Sequence, residues 1–139
     1  MKEAKIIALI IYKNGKILVE KRKSTKIDDP GKIIIPSGHV EEGETLEEAC
    51  KRELKEEVDL ECDNFKFIIK LSHQTKREKQ IIHFFSCEKW RGKPKSIDAE
   101  KIFWITPEEL DIIDYEIDIR AIREFLKMRA EGNSSEFTS

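Results

Sequence analysis

The feature that most constrains this chain is the run from Gly38 to Leu60, GHVEEGETLEEACKRELKEEVDL. Thr45 is a good helix N-cap, and Glu48 three residues later completes a capping box, so a helix is predicted to start there. Leu46, Ala49, Cys50 and Leu54 recur at helical spacing and form its core face. A helix through Glu53 then puts Glu53, Glu56 and Glu57 at i, i+3 and i+4, on one face beside the apolar one. A solvated, charged face is the ordinary meaning of such a run. Yet three like charges on one patch repel, and a fold that keeps them together needs a compensating cation. Hard oxygen ligands call for Mg²⁺ or Mn²⁺. Divalent cations held by carboxylates beside a loop serve chemistry on phosphates.

The flanking segments read mostly as strands. Ala4 to Tyr12 is rich in β-branched residues and is predicted as a buried strand. Asn14-Gly15 is a strong hairpin signal, and Lys16 to Arg22 returns as a second strand. Asp28-Asp29-Pro30-Gly31 is a turn. Ile33 to Ile35 is a short strand ended by Pro36, and Ser37-Gly38 opens a loop before the helix. Phe65 to Ser72 and Gln80 to Trp90 are further strands around a polar tip, and Lys101 to Ile105 is the last. Ile117 to Arg129 is predicted as an amphipathic helix. Residues 131–139 are small and polar and read as a mobile tail, which leaves 1–130 as a single domain. This order predicts an α/β protein, with a mixed sheet and helices packed on its faces.

Composition excludes several function classes. Charged residues make up 39% of the chain but nearly cancel to a net charge of -2, so a basic footprint for duplex nucleic acid is missing. No apolar run is long enough to span a membrane. Cys50, Cys62 and Cys87 are odd in number and widely spaced, forming neither a disulfide framework nor a zinc pattern. A reducing cytoplasm is the expected compartment. The expected partner is a small molecule, and a homodimer stays open.

The Gly38–Leu60 run resembles the signature of the Nudix hydrolases. That signature is Gly, five residues, Glu, seven residues, Arg-Glu-aliphatic, one residue, Glu-Glu, one residue, Gly, then aliphatic. The positions here are Gly38, Glu44, Arg52, Glu53, Leu54, Glu56, Glu57, Asp59 and Leu60. Asp59 departs, standing where the signature has glycine. The family's glycine serves as a left-handed helix stop, and aspartate is among the few residues that tolerate that conformation. The departure therefore bears on local stability more than on metal binding.

The resemblance covers nearly the whole chain and implies the Nudix α/β/α sandwich. It implies hydrolysis of a nucleoside diphosphate-linked substrate with Mg²⁺, for which Mn²⁺ could substitute. It implies Glu53, Glu56 and Glu57 as metal ligands, with the Gly38 carbonyl as a further oxygen. Arg52 resembles the family arginine that orients these carboxylates, and Glu44 belongs beside it. The general base stays open: a helix glutamate, or a carboxylate before the last strand, Asp98 or Glu100. The segment Cys87 to Pro94 resembles the MutT-like subgroup of nucleoside triphosphate pyrophosphohydrolases, whose loop glutamate matches Asp98. Arg22 and His39 are phosphate-contact candidates by the same resemblance. The subgroup's purine-reading asparagine has no direct match, though Asp114 or Asp118 stands in similar space. His73 and His83 read as structural. The expected activity is a nucleoside triphosphate pyrophosphohydrolase releasing pyrophosphate. An RNA 5′-end pyrophosphohydrolase using the basic loop Lys76 to Lys79, and a nucleotide sensor without turnover, are the alternatives.

Overall fold

Strand β1 (Glu3–Lys13) organises the protein, whose computed structural model describes residues 2–138, with side chains as far as residue 132. Alternate residues of β1 enter two different cores. Ile6, Ala8 and Ile10 pack with Ile122 and Phe125 of helix α2 (Glu116–Thr138). Ile7, Leu9 and Ile11 pack with Ala49, Cys50, Leu54 and Val58 of helix α1 (Leu46–Val58). Both faces of β1 are covered, so its sequence is an unbroken apolar run rather than an alternating one.

The other strands assemble around β1. Strand β7 (Lys79–Cys87) runs parallel to it, with Ile6 opposite Ile82. Strand β6 (Lys66–Gln74) pairs antiparallel with β7, with an irregularity between Phe67 and Ile69. On the other edge of β1 lies β4 (Ser37–His39), which places Gly38 opposite Ile7. Strand β2 (Lys16–Lys21) returns from β1 through Asn14 and Gly15, at φ 50° and 79°. Strands β3 (Ile33–Ile34) and β9 (Lys101–Ile105) flank β2 on either side. The result is a mixed sheet between two helices, the α/β/α sandwich that the resemblance implies.

Helix α1 starts as predicted: Thr45 Oγ1 accepts from the Glu48 amide at 3.1 Å, and Glu48 accepts from the Thr45 amide at 2.8 Å. It ends on Asp59 in the left-handed conformation, φ 56° and ψ 40°. The Asp59 carboxylate pairs with Lys55 at 2.8 Å and Lys95 at 3.6 Å, a compensation glycine could not offer.

Four local features differ from the sequence reading. Ser37 to His39 form a strand rather than a loop, because the free edge of β1 supplies the hydrogen bonds. Strands β5 (Glu61–Cys62) and β8 (Trp90–Arg91) make a separate small ladder. A 3₁₀ turn, Pro107–Ile112, precedes α2. The backbone of α2 continues to Thr138, beyond the Arg129 expected as the end of the helix. No helix among the described residues is long and apolar enough to cross a membrane.

Candidate active site

Arg52 is the hub of the carboxylate face of α1. Its Nε and Nη2 donate to the two oxygens of Glu44 at 2.7 and 2.9 Å, a bidentate pair. Its Nη1 donates to Glu53 at 2.7 Å and to Glu56 at 3.2 Å. Its Nη2 also donates to the His39 carbonyl at 3.0 Å, which ties the helix to β4. The Arg52 guanidinium, with the Glu41 amide behind it, pulls the Glu44 carboxyl down to about 2. One cation thus fixes two carboxylates of the helix and one of the preceding loop.

Gly38 explains the close packing between β4 and the helix. A methyl group at this position would overlap the Glu53 carboxylate. The backbone and the acid therefore meet only because residue 38 has no side chain. Glu53 is buried, and that burial raises its carboxyl above the ordinary range against the pull of Arg52. Glu57 rises further, to about 7, through burial and then the charges of Glu53 and Asp98. Glu56 is more exposed than Glu53, with 57% of its side chain open to solvent against 9%.

A residue outside the signature joins this face. Glu20 on β2 is 3% exposed and hydrogen-bonds the Glu57 side chain. Burial, followed by the Glu57 charge, pushes its carboxyl up to about 8. Its neighbours Ile17 and Val19 enter the α2 core while Leu18 enters the α1 core, so alternation aims Glu20 at α1. That alternation is the signal the sequence offers: a lone acid at an inward position of an apolar strand.

The two loop carboxylates part company. Asp98 acts on both Glu20 and Glu57 and forms an ion pair with Lys26 at 2.6 Å. Glu100 pairs with Lys21 at 3.3 Å. Among the described residues no three acidic, His or Cys side chains converge tightly enough to cage an ion as they stand. Arg52 holds Glu53 and Glu56 on its guanidinium at 2.7 and 3.2 Å. The donors nonetheless suit a hard divalent cation: carboxylate oxygens gathered against a backbone that a Cβ would block.

A cavity of about 420 Å³ opens on the other side of Gly38 and His39. Arg22 reaches it, with Nε donating to the Asp28 carbonyl at 3.0 Å. His39 lines it too, its Nε2 meeting Glu78 at 2.7 Å. Tyr115 donates its hydroxyl to Asp29 and lies 5.2 Å from the His73 ring at a tilt of 57°. His73 thus belongs to a cavity wall as well as to strand β6. Asp118 lines the cavity from α2, with one oxygen accepting from the Ile35 amide at 3.3 Å. Asp114 instead accepts from the Ile33 amide at 2.7 Å.

An arginine-clamped acidic helix face beside a nucleotide-sized cavity, in an α/β/α sandwich, defines a class of hydrolases of phosphoric anhydrides. The pattern of the NUDIX domain matches residues 1–125, and the chain belongs to the Nudix family. It is 30% identical over 135 residues to the CTP pyrophosphohydrolase of Escherichia coli K12, covering 94% of this chain and 96% of that protein. It is 33% identical over 116 residues to the 8-oxo-dGTP diphosphatase of Buchnera aphidicola subsp. Schizaphis graminum, covering 83% and 86%. Its fold matches the MutT Nudix hydrolase of Burkholderia pseudomallei with a TM-score of 0.82, at 20% identity over 89% of this chain and 98% of that one.

Proposed function

We propose that the protein is a Mg²⁺-dependent pyrophosphohydrolase of nucleoside triphosphates, releasing pyrophosphate and a nucleoside monophosphate. The observation that carries the reading is the shared wall. Gly38 and His39 line the cavity on one side and meet Glu53 and Arg52 on the other. A nucleoside seated in the cavity would send its phosphates toward the acidic face. The triphosphate class is favoured by the activities for which the two full-length relatives are named.

Glu53, Glu56, Glu57 and the Gly38 carbonyl would hold the cation. When bound, it would neutralise charge on the phosphate oxygens and on the leaving pyrophosphate. The chain's own residues supply the positioning. Arg52 orients Glu53 and Glu56, and Glu44 keeps Arg52 in place. Arg22 and His39 are the phosphate contacts at the cavity edge. The proton of the attacking water passes to a carboxylate of the cluster. Of the two loop acids, Asp98 is the one within reach of that cluster's field. Asp118 and Tyr115 offer polar groups to the base edge.

The test is pyrophosphate release from CTP, dCTP, dGTP, 8-oxo-dGTP and ADP-ribose, with Mg²⁺ and with EDTA. Mg²⁺-dependent pyrophosphate from a triphosphate, abolished by Glu53→Gln, is the expected result. Release of orthophosphate, or turnover unaffected by EDTA, would refute the reading.

A further inference from the structure

We propose that Glu20 is an additional metal-ligating residue, so that strand β2 as well as helix α1 supplies carboxylate oxygens to the divalent cation. The inference rests on the metal reading above and adds a residue outside the Nudix signature. An inward position on an apolar strand is a costly place for a carboxyl group, since burial strips it of water. Leu18, two residues earlier on the same face, shows what that face otherwise holds. Among the described residues, no amide, hydroxyl, ammonium or guanidinium group hydrogen-bonds the Glu20 carboxyl. Its contact is another acid, Glu57.

The neighbouring cations make their hydrogen bonds and ion pairs with groups other than Glu20. Lys21 pairs with Glu100, and Lys26 pairs with Asp98. The Arg22 Nε turns to the Asp28 carbonyl. Arg52 serves Glu44, Glu53 and Glu56. Glu20, buried, thus meets the half-buried Glu57 acid to acid, while Arg22 reaches both and Lys26 reaches Glu57 through charge rather than through a hydrogen bond. A hard cation between them satisfies both, as the chemistry of oxygen ligands requires. It would also divide the labour on α1: Arg52 steadies Glu53 and Glu56, while Glu20 fixes Glu57 from the sheet.

The experiment measures Mn²⁺ binding without nucleotide, by titration calorimetry or by the paramagnetic resonance of free Mn²⁺. The proteins are the wild type, Glu20→Gln, Glu20→Met and Glu57→Gln. Glu20→Met keeps the volume and removes every oxygen, so it stays informative if the amide still ligates. Unfolding in EDTA is followed in parallel. We expect Glu20→Met to weaken Mn²⁺ binding at least about tenfold, by comparison with the effect of losing groups around a metal site. Stability in EDTA should hold or rise, because a buried acid has been removed. Unchanged Mn²⁺ affinity in both Glu20 variants, with affinity lost in Glu57→Gln, would overturn this inference and leave the proposed function standing. So would a fall in EDTA stability with Mn²⁺ affinity intact, which marks a structural partner of Glu57. Unchanged affinity in Glu57→Gln as well would overturn the metal reading itself.

Discussion

Replacing Asp118 by asparagine should flatten part of the protein's pH–stability curve. Asp118 is 6% exposed at the cavity wall, and burial pushes its carboxyl up to about 7. The Ile35 amide pulls the other way, and the charge of Asp29 adds to the rise. An unfolded aspartate titrates near 3.9, and one pH step corresponds to about 1.4 kcal/mol. The native protein therefore binds this proton more tightly than the unfolded chain does. Its contribution is fully present below about pH 4 and is lost as pH rises toward 7. Across that window the loss amounts to about 4 kcal/mol, an upper figure because the cavity admits water. Asparagine cannot ionise, and its carbonyl oxygen can still accept from the Ile35 amide. The assay is urea unfolding of both proteins at half-unit intervals from pH 4 to pH 8. The difference between the curves removes the other carboxylates, which titrate alike in both. The Asp118→Asn protein should gain steadily on the wild type up to about pH 7 and then hold its lead. Parallel curves over the whole range would refute the reasoning.

Three further outcomes are expected. Gly38→Ala should drive the Glu53 carboxylate off the β4 backbone; overpacking of this kind costs about 1–3 kcal/mol. Mg²⁺-dependent kcat/KM should fall at least about a hundredfold, since small misplacements at a reacting centre have that effect; thermal unfolding and steady-state kinetics check both. Arg52→Lys keeps the charge but loses the bidentate grip on Glu44, so Mn²⁺ affinity should drop about 10–100-fold, read by calorimetry. Asp59→Gly relieves a left-handed aspartate, a strain of about 1 kcal/mol, and gives up the exposed pairs with Lys55 and Lys95. A net gain of about 0.5 kcal/mol in urea unfolding is expected, and a clear loss would show that the ion pairs outweigh the strain.

Much of this site is legible in the sequence because its determinants are local. The Thr45–Glu48 capping box and the i, i+3, i+4 spacing of Glu53, Glu56 and Glu57 are properties of one helix. Both-face burial of β1 is visible in its unbroken apolar run. What escapes depends on distant partners. Ser37–His39 becomes a strand only because β1, from far earlier in the chain, offers a free edge. Glu61–Cys62 and Trp90–Arg91 are too short to carry a period, and their pairing spans the chain between them. Alternation along β2 marks Glu20 as an inward acid, but its partner Glu57 comes from α1 and is settled only by the packing. His73 gains its place on the cavity wall from Tyr115, which arrives from the far end of the sequence. Asp98 is set apart from Glu100 in the sequence by the subgroup match alone, and in the fold their separate lysine partners divide them.

The wall made by Gly38 and His39 is a single strand thick. Under the proposed function it acts as a ruler. The distance from nucleoside to acidic face is set by one backbone, not by whichever base fills the cavity. Choice of base and choice of bond are then written in different parts of the chain. Substitutions at the α2 end of the cavity can change which nucleotide enters while the scissile bond stays the same. A lineage carrying this strand could diversify its substrates without rebuilding its chemistry.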